Sequence, residues 1–107
     1  MEGNDTLLQQ LGPRLREARQ TANLTVREAG ERLGVDHSMI VRYENGESLP
    51  PLDRLVALAD LYGLTPAALL TRHAVAVPLI AAIDRAETDT ITRLAALLGA
   101  PGGDIAP

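Results

Sequence analysis

The chain is 107 residues long, lacks cysteine, tryptophan and phenylalanine, and carries a formal charge of −4. This length supports one small domain with at most a short extension, and the missing cysteines exclude disulfides and thiolate metal sites, which suits the cytoplasm. No apolar run approaches the roughly 18 residues of a membrane span, and frequent Ala and Leu with few aromatics make a helical composition.

Residues 1–10 hold Glu2 and Asp5 and no base, and read as a flexible N-terminal arm with 1–5 disordered. Gly12-Pro13 interrupts any helix begun at Thr6, because the residue before Pro avoids the α region and Pro prefers a first helical turn. Helix 1 is therefore expected to start near Pro13 and run to Thr21, with Leu11, Leu15 and Ala18 facing a core. Thr25 and Glu28 form an S/T-x-x-E capping box that opens a second helix to about Leu33. Gly34 supplies the left-handed position that ends it. Asp36 is a good N-cap for a third helix over residues 37–44, closed by Asn45-Gly46. Gly30 sits mid-helix, where Gly costs roughly 1 kcal/mol against Ala; a small residue there makes sense if the third helix crosses closely over it. Val35, Ile40 and Tyr43 turn inward, which leaves His37, Ser38, Val41, Arg42 and Asn45 on the outward side.

Residues 47–51 form a loop. A fourth helix runs from Leu52 to Tyr62, with Leu55, Leu58, Ala59 and Tyr62 in one apolar stripe, and Gly63 ends it. Thr65-Pro66 caps and opens a fifth helix reaching about Arg72. These five helices close a core by themselves. Val77-Pro78 then opens a sixth helix to near Ala86, with residues 73–77 as a short strand the alternative for its lead-in. Thr88 or Asp89 caps a seventh, striped by Ile91, Leu94, Ala95 and Leu98. Residues 73–98 thus form a C-terminal helical region that either packs back on its own head or buries against the same helices of a second chain. Residues 99–107 read as a disordered tail.

Two short helices joined by a Gly-containing turn are the helix-turn-helix signature, and such a pair holds its second helix out for the DNA major groove. An ordinary helical corner shares the outline, so the flanking segments carry the distinction. Residues 11–50 hold six Arg against six acids, a neutral head. That predicts few phosphate contacts per monomer, weak monomeric binding and a need to dimerise.

Residues 11 to about 70 resemble the Cro/repressor-like, Xre-type helix-turn-helix regulators. The matching residues are Leu11, Gly12, Arg14, Leu15, Arg16, Ala18 and Arg19, then Asn23-Leu24-Thr25, Gly34-Val35 and Ile40. They continue with Arg42 through Gly46, Pro50, Leu55, Leu58, Ala59 and Tyr62-Gly63-Leu64. The resemblance implies an all-α fold: a five-helix DNA-binding head over residues 11–72, with about two C-terminal helices beyond it. It also implies a transcriptional regulator that binds a pseudo-palindromic operator as a dimer, with helix 37–44 in the major groove. Carried over by position, Arg19 and Glu44 form a structural ion pair that fixes helix 1 against helix 3. The base-reading positions fall on His37, Ser38, Met39, Val41 and Arg42. The fork of Arg42 can grip guanine O6 and N7 together or sit on a phosphate; Val41 suits a thymine methyl. Asn45 is expected on phosphate. Many family members place a Gln that holds phosphate where this chain has Val26, and Arg27 is the substitute at hand. Ala29 stands where a larger apolar residue is common.

Nothing points to an enzyme, a metal or a cofactor: there is no His/acid cluster with ligand spacing, no nucleophile elbow and no Gly-rich phosphate loop. The expected partners are double-stranded DNA and a second copy of the chain, at a nucleoid-associated cytoplasmic location and without a membrane. A protein-interaction module or antitoxin-like adaptor is the competing class, its partner protein held through residues 73–98.

Overall fold

The computed structural model describes residues 2–71 and 74–99, and all regular structure among them is helical. The helices are α1 (Glu2–Thr21), α2 (Val26–Leu33), α3 (His37–Glu44), α4 (Leu52–Leu61), α5 (Pro66–Leu70), α6 (Val77–Arg85) and α7 (Thr88–Leu97). A 3₁₀ turn over Ala74–Ala76 leads into α6 where a strand was the alternative. The all-α class and the five-helix head with two further helices are as the sequence implies. Arg72, His73 and the tail beyond Gly99 lie outside the described residues.

Helix 1 does not open near Pro13. It is continuous from Glu2, with Pro13 inside it, so residues 2–10 are helical where a flexible arm was expected. A proline there forfeits one intrahelical bond and crowds the preceding turn, at about 3 kcal/mol. Leu11 and Leu15 flank it on one face and both lie buried in the core, which offsets that cost. Gly12 serves packing and not a turn: a Cβ on it would lie 2.4 Å from the carbonyl oxygen of Glu44, at the C-terminal end of α3. The Gly-Pro pair marks where α3 crosses α1.

The core joins Leu11, Leu15 and Ala18 of α1 to Ala29, Ile40 and Tyr43 of α2 and α3, and to Leu55, Leu58, Ala59 and Tyr62 of the α4 segment. Ala29 is fully buried, so its small side chain is matched by close approach. The Tyr62 hydroxyl is buried with no hydrogen-bond partner among the described residues, and burial pushes it up to about 12 from 10. The neutral phenol is thus the form that folding favours. Its contribution is complete below pH 10 and is lost as pH rises toward 12. Tyr62→Phe removes an unpaired hydroxyl, so it should leave stability at pH 7 unchanged or raise it by up to about 1 kcal/mol. Urea unfolding at stepped pH should show the variant losing less than the parent between pH 10 and 12; parallel curves would contradict the assignment.

Of residues 73–98, one helix is seen to pack back on the head and the other is not. Helix α6 packs on the head: Ala81 is buried, and the Thr65 hydroxyl donates to Asp84 Oδ2 at 2.8 Å. Thr65 therefore N-caps α5 by position but spends its side chain on α6. Helix α7 buries no residue, and its N-cap is Glu87 where Thr88 or Asp89 was expected. Leu97 and Leu98 at its end are 82% and 75% exposed.

Candidate nucleic-acid interface

The unit from Thr25 to Asn45 is built by local chemistry. The Thr25 hydroxyl accepts from the Glu28 N–H at 3.0 Å, and Glu28 Oε1 accepts from the Thr25 N–H at 2.9 Å, a complete capping box. The Thr25 backbone N–H first, and its hydroxyl second, hold the Glu28 carboxyl below its ordinary value by hydrogen bonding to it. Gly34 turns the chain at φ +83°, and the N–H groups of Gly34 and Val35 both return to the Gly30 carbonyl. Gly30 is where the turn and the start of α3 come closest to α2: a Cβ there would stand 2.8 Å from the Val35 carbonyl oxygen and 3.1 Å from the His37 nitrogen. Asp36 caps α3 by accepting from the Ser38 N–H at 3.1 Å and from the Ser38 hydroxyl. Those bonds, the hydroxyl first, keep the Asp36 carboxyl below its usual value.

Two side-chain links hold α3 against the head. Arg19 Nε donates to Glu44 Oε2 at 2.7 Å and its Nη2 donates to Oε1 at 3.0 Å, while Nη1 donates to the Leu24 carbonyl at 2.8 Å. Both side chains are nearly buried, at 10% and 6% exposed. The bond to Glu44 raises the Arg19 guanidinium further above its ordinary value, against the opposing effect of burial. At the other side Arg54 Nη1 donates to the Tyr43 hydroxyl at 2.8 Å, which ties α4 to the buried ring of α3.

Of the residues expected to face DNA, Ser38, Val41, Arg42 and Asn45 are exposed and fall at i, i+3, i+4 and i+7 on one face of α3 and its cap. His37 is half-buried at the start of the helix, its Nδ1 4.0 Å from Asp36 Oδ1. Arg27 is exposed on α2. Met39 packs, partly buried, against the core, behind that face. It precedes Tyr43 by one helical turn, and the apolar side claims it. Ser38 is exposed but its hydroxyl is spent on Asp36, and Asn45 Nδ2 leans toward Glu47 Oε2 at 3.4 Å.

Sequence reasoning missed Arg14 and Arg54. Arg14 lies in the apolar stripe of Leu11, Leu15 and Ala18, and a charge inside such a stripe signals an inward role. For Arg54 the signal is the hydroxyl of a core tyrosine, which needs a partner. Because Arg14 and Arg19 are buried and Glu44 is paired, the head between residues 11 and 50 shows four arginines to solvent against five acids. Among the described residues no cluster of His, Cys, Asp or Glu could hold a metal, and no helix is long and apolar enough to cross a membrane.

Comparison with known proteins agrees with this architecture. Residues 10–77 match the model of a family described as the helix-turn-helix domain. Over 65 residues, 61% of the chain, it is 38% identical to the HTH-type transcriptional regulator ImmR of Bacillus subtilis (strain 168), covering 51% of that protein. Over 52 residues, 49% of the chain, it is 40% identical to the uncharacterized HTH-type transcriptional regulator YobD of the same organism, covering 46% of it. The chain thus spans about half the length of the curated relatives it matches, and no solved structure shows a significant match. With the family match extending over well more than half its residues, the chain belongs to the helix-turn-helix domain family.

Proposed function

We propose that this chain is a sequence-specific transcriptional regulator that binds a pseudo-palindromic DNA operator as a homodimer. The observation that carries the reading is the exposed face of α3, with Ser38, Val41, Arg42 and Asn45 on a helix locked behind by the Arg19–Glu44 pair. Its partner by shape and chemistry is the major groove. Arg42 offers a fork for a guanine, and Val41 an apolar contact for a thymine methyl. His37 and Ser38 lie at the helix start within reach of base edges or phosphate; Asn45 and Arg27 hold phosphate. The regulator names of the two relatives support the same function, and a regulator that acts on DNA in this way would work in the cytoplasm.

Dimerisation is argued from charge and burial together. A head surface with more acids than bases gains little from phosphate neutralisation, so one copy binds weakly. A ten-residue helix such as α7 is marginal when it stands alone. Its exposed Ile91, Leu97 and Leu98 and the exposed Leu79 of α6 give a second copy an apolar face to cover. Linking two half-site contacts then raises affinity by about 10²–10⁴ without a new base contact.

The same exposed face of α7 also suits a partner protein, the reading in which the chain is an adaptor. Introducing Ile91→Glu with Leu98→Glu into the full chain separates the two. The dimeric regulator becomes monomeric in sedimentation and loses at least about 10²-fold in operator affinity, while keeping its helix content. A doubly substituted chain that still sediments as a dimer and binds DNA unchanged would transfer α7 to the adaptor reading.

A further inference from the structure

Between α1 and the start of α6 lies a cavity of about 250 Å³ whose wall carries one positive and one negative side chain, Arg14 and Glu17. Its apolar wall comes from Ala18 of α1, Leu64 beyond α4, and Val77 and Pro78 at the opening of α6. Glu17, Thr21 and Pro78 are exposed, so the cavity meets solvent along that rim. Helix α6 is held to the head further along, by buried Ala81 and by Thr65 on Asp84.

Arg14 is 8% exposed. Nη1 donates to the Leu69 carbonyl at 2.9 Å and to the Thr71 carbonyl, and Nη2 donates to Gln10 Oε1 at 2.7 Å. Leu69 lies in the last turn of α5 and Thr71 is its C-cap. Carbonyls at a helix C-terminus favour a cation, but they carry only partial charge. A guanidinium has five N–H groups; on Arg14 the one at Nε and one at Nη2 donate to nothing among the described residues. The ion pairs among those residues are Arg19–Glu44 and Asp36–His37, so neither Arg14 nor Glu17 is neutralised by a neighbour. A nearly buried cation without a counter-charge is costly, and an anion brought to it relieves that cost.

We propose that this cavity binds a free α-amino acid with an apolar side chain. Its carboxylate sits on the open N–H groups of Arg14, its ammonium on Glu17, and its side chain against Ala18, Leu64 and Val77. Residues three apart on a helix stand about 5–6 Å from each other at Cβ, a separation that two opposite charges on one carbon can bridge. A guanidinium fork suits a carboxylate. Glu17 repels a simple carboxylic acid and attracts one that also carries an ammonium. A cavity of about 150 Å³ lined by apolar side chains already holds benzene, so this one has room for the side chain of leucine or phenylalanine. The exposed face of α3 shares no residue with the cavity. Binding is therefore measured without DNA, and the inference stands apart from the operator reading.

The test is isothermal titration calorimetry on the full chain, with thermal unfolding run on each protein. Leucine and phenylalanine should bind saturably and in equimolar ratio. Phenethylamine, which lacks the carboxylate, should bind about tenfold more weakly or worse. Phenylpropionate, which lacks the ammonium, should bind about threefold more weakly, because Glu17 is exposed. Glycine, with the charged head and no apolar body, should give no saturable heat. Glu17→Gln removes an exposed charge without a partner, so it should fold and bind phenylalanine and phenylpropionate equally. Thr21→Trp places a large ring on the exposed rim, fills the cavity and should abolish binding in a folded protein. A folded chain that binds neither leucine nor phenylalanine overturns the proposal, and so does equal binding of the three phenyl compounds. A folded Thr21→Trp variant that binds like the parent overturns it as well, as does a Glu17→Gln variant that keeps the parent's preference for phenylalanine over phenylpropionate.

Discussion

Arg42→Ala is expected to abolish preference for the operator while leaving the head folded. Arg42 is exposed on α3 and supports nothing behind it, so its removal leaves no cavity and no orphaned charge. A bidentate Arg–guanine contact discriminates by about 1–3 kcal/mol, and a homodimer loses two of them, about 2–6 kcal/mol in total. Affinity for unrelated duplex should hardly change, so the specificity ratio collapses. If Arg42 instead held phosphate, binding would weaken evenly on all sequences and the salt slope would fall by about one per lost contact. Titrations of parent and variant on operator and non-operator duplex at three salt concentrations separate these outcomes. Unchanged operator affinity would remove Arg42 from the interface altogether.

The second large effect is on stability. Arg19→Met leaves the Glu44 carboxylate nearly buried without its two donors and leaves the Leu24 carbonyl without Nη1. Breaking a buried pair from one side costs about 3–5 kcal/mol; because this pair keeps some exposure, about 3 kcal/mol is expected. For a domain of this size that lowers the midpoint of thermal unfolding by more than about 10 °C. Glu44→Leu should cost less, since Arg19 keeps its bond to Leu24. The double variant should recover much of the loss, because no unpaired charge remains. Urea unfolding of all four proteins completes the cycle, and additive losses would show that the pair is not coupled.

The turn between α2 and α3 was legible in the sequence because every signal for it is local. Thr25 with Glu28, the left-handed Gly34 and the Asp36 cap each act within four residues, and Gly30 announced the close crossing that its missing Cβ permits. The start of α1 was not legible for the complementary reason. Gly12-Pro13 is locally a helix breaker, and only the approach of Glu44 and the burial of Leu11 and Leu15 on either side reverse that preference. Arg14 fails the same way, since its partners lie at the end of α5. Met39 sits at the border of the outward face, where periodicity alone does not choose a side. The division of residues 73–98 into an anchored α6 and an uncovered α7 rests on one hydrogen bond between Thr65 and Asp84 and on the burial of Ala81; neither leaves a mark in hydrophobic spacing.

The arginines that face inward change the balance left for DNA. Ten basic residues against fourteen acids already disfavour non-specific attachment to the duplex. Burying Arg14, while Arg19 and Glu44 cancel as a pair, tilts the head further. On the proposed dimeric reading, base contacts and paired half-sites would then outweigh phosphate contacts, which predicts a shallow salt dependence.

Dimeric operator recognition is open to direct test by selection from a random duplex library with the purified full chain at low salt, followed by sequencing of what binds. The expected result is enrichment of a pseudo-palindrome whose half-sites are centred about 34 Å, one helical turn, apart. A folded protein that enriches no sequence would contradict it.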